Sequence, residues 1–161
     1  MNETELKAKL GRESLRGADL RRGNLYEADL RGVDLRRANL RGANLNEADL
    51  HGALLSAYLI VPETGSFIAY KKVCGRLVTV KIPHDAKRTS SLVGRKCRAE
   101  FVDVLAIEDL AEGQSIRSDR NAIYQAGCRV RADQYDEDIR VDCTHGIHFF
   151  LTRAEALAWS Y

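Results

Sequence analysis

Leucine recurs at every fifth residue from Leu15 through Leu20, Leu25, Leu30, Leu35, Leu40, Leu45 and Leu50 to Leu55. A small residue usually stands two places before each leucine, as at Ala18, Gly23, Ala28, Val33 and Ala38. An α-helix turns in about 3.6 residues, so a step of five would scatter these leucines around its axis. A straight strand alternates its side chains with period two, so an odd step would send successive leucines to opposite faces. The pattern is satisfied by a three-residue extended piece such as Ala18-Asp19-Leu20, both of whose ends point inward, followed by a two-residue corner that redirects the chain. Repetition of that unit winds the backbone into a coil over residues 13–61.

The segments ADLRR, GNLYE, ADLRG, ANLRG, ANLNE and ADLHG resemble the pentapeptide-repeat family, whose motif is a small residue, Asp or Asn, Leu and two variable positions. The resemblance implies a short right-handed quadrilateral β-helix with four pentapeptides to a coil. Ala8-Lys9-Leu10 and Tyr58-Leu59-Ile60 stay in phase at the two ends, and a capping helix over residues 3 to 10 is the alternative at the first. Residues 1–12 are therefore assigned to an N-terminal cap. Glu13 falls on an inward position, and Leu54 is apolar where the motif has Asp or Asn. Leu54, Tyr58 and Leu59 are expected to bury the last coil against the domain that follows, with a homodimer interface over Leu54 to Ile60 as the other use of the same surface.

From about residue 62 the five-residue period gives way to alternating runs rich in β-branched and aromatic residues. Strands are predicted over Ser66 to Lys72, Arg76 to Ile82, Arg98 to Ile107, Ile123 to Val130 with a bend at Gly127, and Ile147 to Leu151. Turns fall near Gly75, Gly94 and Gly113. Thr152 followed by Glu155 is a capping box, which opens a short final helix through Ala158 and Trp159. Residues 62–161 thus read as a small α+β domain, and the fold class of the whole is mainly β. The segments YKKVCGRLVTVKIPHDAKR, GRKCRAEFVDVLAIE and CTHGIHFFLTRAEA resemble an uncharacterised domain that follows pentapeptide repeats in phage and bacterial proteins. That resemblance implies a phage or prophage origin and carries no activity.

Charge changes this picture little. The 161 residues include 25 Lys and Arg against 23 Asp and Glu, a formal charge of +2, so no global field draws the chain to nucleic acid or to a membrane. MNETELKAKL lacks the apolar stretch of a signal peptide and no run approaches a membrane span, so the expected compartment is the cytoplasm. Cys74, Cys97, Cys128 and Cys143 form no CxxC pair, and in a cytosolic chain they read as reduced thiols.

Local clusters of functional side chains remain. The residue after each repeat leucine points outward, which makes Arg16, Arg21, Arg36 and Arg41 a basic interaction face; with four repeats to a coil, Arg16 stacks on Arg36 and Arg21 on Arg41. Asp19, Asp29 and Asp34 stand two places before Arg21, Arg31 and Arg36, close enough to neutralise them. Long members of the pentapeptide family imitate DNA with acidic rods, a role that a short, basic coil does not share. Lys87, Arg88, Arg95, Lys96 and Arg98 cluster around loop residues and form a candidate anion site. No Walker or dinucleotide glycine pattern is present. Cys143 and His148 are the one pair with nucleophile-and-base chemistry, but nothing supplies an oxyanion hole or an orienting partner, so no catalytic residue is assigned. On a strand Cys143 and His145 share a face that His148 does not, a poor arrangement for zinc. Asp133 to Asp138 lacks calcium-loop spacing. No metal or cofactor is expected.

These features point to a non-enzymatic binding protein of phage type that presents a rigid coil to a host protein. A binder of a small anionic ligand such as a nucleotide is the second reading. An enzyme built on Cys143 and His148 is the third.

Overall fold

The computed structural model describes residues 1–55, 60–118 and 121–159. The chain divides into two compact units, the first formed by Met1–Ile60, Ser91–Gly94 and Asp138–Asp142, the second by Val61–Ser90, Arg95–Glu137 and Cys143–Tyr161. The described residues are mainly β with two short helices. No described helix is long and apolar enough to cross a membrane.

In the first unit the described repeats show no extended strand. Each contributes a single bridging residue, and parallel bridges join Asp19 to Asn39, Asn24 to Asn44, Asp29 to Asp49 and Asp34 to Leu54. The backbone therefore meets itself again after twenty residues. Leu15, Leu20, Leu25, Leu30, Leu35, Leu40 and Leu45 are buried, as are Ala18, Ala28, Val33, Ala38, Ala43 and Ala48. Between extended pieces the chain makes a tight turn, closed by N–H of Ala18 on the carbonyl of Leu15 and likewise by Gly23 on Leu20 and Ala28 on Leu25. The residue two past each leucine is left-handed, and glycine fills that place at 17, 32, 42 and 52 while Arg22, Glu27, Arg37 and Glu47 adopt it with a side chain. The Asp or Asn of the motif has a local duty as well. Its Oδ1 accepts the N–H two residues on, from Asp19 to Arg21, Asn24 to Tyr26, Asn44 to Asn46 and Asp49 to His51, which fixes each corner.

The first end is a helix rather than another repeat. Helix α1 covers Glu3–Leu10, with Asn2 and Glu5 forming a capping box and Gly11 a left-handed C-cap. Leu6 enters the repeat core and Leu10 lies half-buried against it. Asn2 bridges Asp29, and Met1 O accepts from Asp29 N, so the helix start pairs with backbone that a preceding coil would otherwise pair. Glu13, expected to point inward, is exposed because the regular pattern begins only at Leu15.

The other end departs from expectation in the same way. Leu54 is 47% exposed rather than buried, since its bridge to Asp34 places it in the outward Asp/Asn position. Tyr58 and Leu59 lie outside the described residues. The core is instead extended by Leu92, with Val93 and Ile139 packed on it. Val93 O accepts from Gly42 N at 2.7 Å, and the Arg140 guanidinium donates to Ala48 O at 2.6 Å. Those backbone groups would face the next coil, and residues 91–94 and 138–142 satisfy them.

The second unit is antiparallel throughout. Strands β1 (Phe67–Val73), β2 (Arg76–Ile82), β5 (Phe101–Ile107) and β8 (Arg129–Arg131) form a four-stranded sheet in the order β1-β2-β5-β8. Strands β3 (Arg88–Ser90), β4 (Cys97–Ala99) and β9 (Ile147–Phe149) form a second sheet, and β6 (Ser115–Arg117) pairs with β7 (Ile123–Gln125). The β1–β2 hairpin turns on Cys74 and Gly75, both at positive φ, the requirement of a two-residue loop. The run predicted as one strand over 98–107 breaks at Glu100, where the chain leaves β9 as neighbour and takes β2. The run over 123–130 breaks at the Gly127 turn into β7 and β8. Tyr70 and Phe150 exchange backbone hydrogen bonds and so tie the two larger sheets together. Helix α2 (Arg153–Ala158) starts at the Thr152 and Glu155 capping box, and Ala156 packs with Leu77 and Phe150.

Candidate functional site

The outward face of the repeats is locked by short ion pairs. Arg21 Nε and Nη2 reach both carboxylate oxygens of Asp19 at 2.8 and 2.5 Å, and Arg31 with Asp29 and Arg36 with Asp34 repeat the fork. The arginine side-chain bonds, helped by the backbone N–H of the same residue, hold all three carboxyls at about 2. Among the described residues Arg16 and Arg41 make no ion pair; each donates its backbone N–H, to Ser14 Oγ and Asn39 Oδ1 respectively. Arg36 O accepts from Gly17 N and Arg41 O from Arg22 N, which puts 16–17 beside 36–37 and 21–22 beside 41. Tyr26 belongs to the same surface, and Glu27 and then Glu47 push its hydroxyl up to about 12.

The five cations of the anion set do not converge. Lys87 pairs with Glu137, which raises its pKa, and Arg95 pairs with Glu155. Arg88 donates to the carbonyls of Ala86, Gly65, Pro83 and His84, and its guanidinium lies over the Phe67 ring. Arg98 is fully buried and donates to Asp136 O. Of the five, Lys96 lines a cavity with cations from elsewhere in the chain.

That cavity, about 660 Å³, lies within the second unit. The end of β1 contributes Lys71 and Lys72, the end of β8 contributes Arg131 and the chain just past it Asp133, and β7 contributes Tyr124. Lys71 Nζ donates to Tyr124 Oη at 2.9 Å and lies 4.5 Å from the centre of its ring. Lys72 Nζ donates to the carbonyls of Leu157 and Trp159. Lys96 Nζ donates to Cys143 Sγ and sits 4.3 Å from the Trp159 ring centre. Arg131 lies over Phe101.

Cys143 and His148 both line this cavity, together with Cys74, whose thiol donates to Arg117 O. Gly146 lets the intervening chain pass close to β4: its φ is +131°, and a Cβ there would lie 3.2 Å from Arg98 Cβ. No group of three His, Cys, Asp or Glu among the described residues is arranged to hold a metal ion. In the acidic stretch Asp136 accepts from Thr144 Oγ1 at 2.7 Å, and Asp138 forms a fork with Arg140.

Two parts of this arrangement escaped sequence reasoning. The cavity cations come from three separate segments, and nothing in local spacing joins them. Asp138-Ile139-Arg140 did carry a signal, since it copies the Asp-Leu-Arg triplet of the repeats and makes the same fork and the same turn of backbone N–H to Oδ1. Comparison with known proteins gives two matches: residues 57–156 fit a family described as being of unknown function (DUF5758), and residues 7–37 and 18–56 fit pentapeptide repeats, in eight copies. No curated protein and no solved structure matches.

Proposed function

The chain belongs to the family of unknown function DUF5758 and carries pentapeptide repeats over residues 7–56, and on that premise we propose that it is a non-enzymatic binding protein whose repeats form a short right-handed quadrilateral β-helix presented to a protein partner. In the phage-type reading that partner belongs to the host. One observation carries the proposal: the outward side chains stand on a backbone bridged every twenty residues and are held in place by Asp–Arg forks. A surface ordered before contact loses little side-chain entropy on association. The forks cancel Arg21, Arg31 and Arg36 locally, which leaves Arg16 and Arg41 as the members of the predicted face without an ion pair among the described residues, and the partner surface that fits them is acidic.

Affinity capture with the full chain tests this. A protein recovered by the wild type and lost on Arg16→Glu/Arg41→Glu, with thermal unfolding unchanged, is the expected result. Equal recovery by both chains, or no specific recovery by the wild type, counts against it.

A further inference from the structure

Lys96 is 4% exposed, and the groups that hold it are the Cys143 sulfur and the Trp159 ring; among the described residues no carboxylate joins them. A buried ammonium is expensive unless an opposite charge compensates it. The same cavity is lined by Lys72, which donates to two main-chain carbonyls, and by Arg131, which lies over the Phe101 ring. Carbonyl dipoles and ring faces orient a cation without cancelling its charge. Opposing carboxylates are few. Asp133 is the one acidic residue in the described lining, and Glu100 stands 3.9 Å from Arg131.

From this juxtaposition we propose that the cavity is a binding site for a small organic phosphate. The cations of the described lining suit a phosphoryl group with several oxygens better than a single carboxylate: the Lys72 and Lys96 ammonium groups each offer more than one N–H, and Arg131 offers a planar fork. Val73, Ala122 and Ile147 add apolar wall for the organic part. A volume of about 660 Å³ falls within the range of small-molecule sites. The site is independent of the repeat face, and of the earlier anion set it keeps Lys96 alone.

Isothermal titration of the full chain with inorganic phosphate, pyrophosphate, a nucleoside monophosphate, a nucleoside triphosphate and a hexose phosphate tests the assignment. At least one organic phosphate should bind once per chain, more tightly than inorganic phosphate and more weakly as salt is raised. Lys96→Met should weaken it at least tenfold, whereas Lys87→Ala, which removes an ammonium paired with Glu137 away from the cavity, should bind as the wild type does. Should Lys96→Met fail to fold, Arg131→Gln at an exposed position carries the same tenfold criterion. Absence of saturable binding across the panel overturns the proposal. So does binding that Lys96→Met or its substitute leaves unchanged, and so does uptake of a single-stranded oligonucleotide without any of the free phosphates.

Discussion

An aspartate that accepts the backbone N–H two residues on, and the guanidinium of the same residue, does two jobs with one side chain: it shapes the corner and holds the arginine. Asp19, Asp29 and Asp34 are in that position, held at about 2 against an ordinary value of 3.8. Depressed carboxyls stabilise the folded state above their unfolded pKa and lose that contribution as pH falls through the folded value. Stability should therefore decline between about pH 4 and about pH 2, and in an Arg21→Gln/Arg31→Gln/Arg36→Gln chain that part of the decline should be smaller; urea unfolding at stepped pH measures it. Solvent screening makes each contribution small, since Asp19 and Asp29 are exposed and Asp34 is only partly buried. In the core, Leu30 is completely buried, and Leu30→Ala should lower stability by about 2–5 kcal/mol in the same assay. The forks were legible from an i, i+2 spacing of opposite charges. Lys96 was legible as one of the loop cations, but its burial was not, because a lysine within GRKCR reads as solvated loop until the fold surrounds it.

Elements were legible where local chemistry decides them. The α2 cap at Thr152 and Glu155 forms as its spacing requires, with Glu155 N donating to Thr152 Oγ1 at 3.2 Å. Removing it by Thr152→Ala should cost about 1 kcal/mol, read from denaturant midpoints. Strand ends were not legible where a partner decides them. Arg98 to Ile107 is one apolar-rich run, yet Glu100 divides it because Cys97–Ala99 pairs with β9 while Phe101–Ile107 pairs with β2 and β8. The short β3 and β6 lack periodicity of their own and exist by pairing. Gly146 shows the same dependence on neighbours. At φ +131° beside Arg98, Gly146→Ala should destabilise by about 1–3 kcal/mol, with a drop in melting temperature as the readout.

At the scale of the molecule, a five-residue period reveals that the chain returns on itself, bridged every twenty residues, but not what covers the two ends. The helix at the start was one of two alternatives that residues 3 to 10 allowed. At the other end Leu54, expected to be buried with Tyr58 and Leu59, is exposed, and Tyr58 and Leu59 lie outside the described residues; Leu92, Ile139 and Arg140, about forty to ninety positions downstream, meet the repeats there in a role that only the fold exposes. Leu92→Ala, at a buried site of the repeat core, should therefore destabilise the repeats by about 2–4 kcal/mol although it lies outside them in sequence, detectable as faster amide exchange at Ala43 and Ala48. The candidate site followed the same rule. Its cations come from segments between residues 71 and 131, so no local motif announced it.

The claim on which the functional reading rests is that the repeats form a rigid surface through hydrogen bonds twenty residues apart. Hydrogen exchange of the intact chain tests it most directly. The amides of Leu20, Leu25, Leu30, Asn39, Asn44 and Asp49, each bonded to backbone in the neighbouring turn of chain, should be protected together as one cooperative set. Those of Arg21, Tyr26 and Arg31, bonded to exposed Asp or Asn side chains, should exchange quickly. Exchange of the first set at the rate of a free peptide, while β2 and β5 stay protected, would contradict the account.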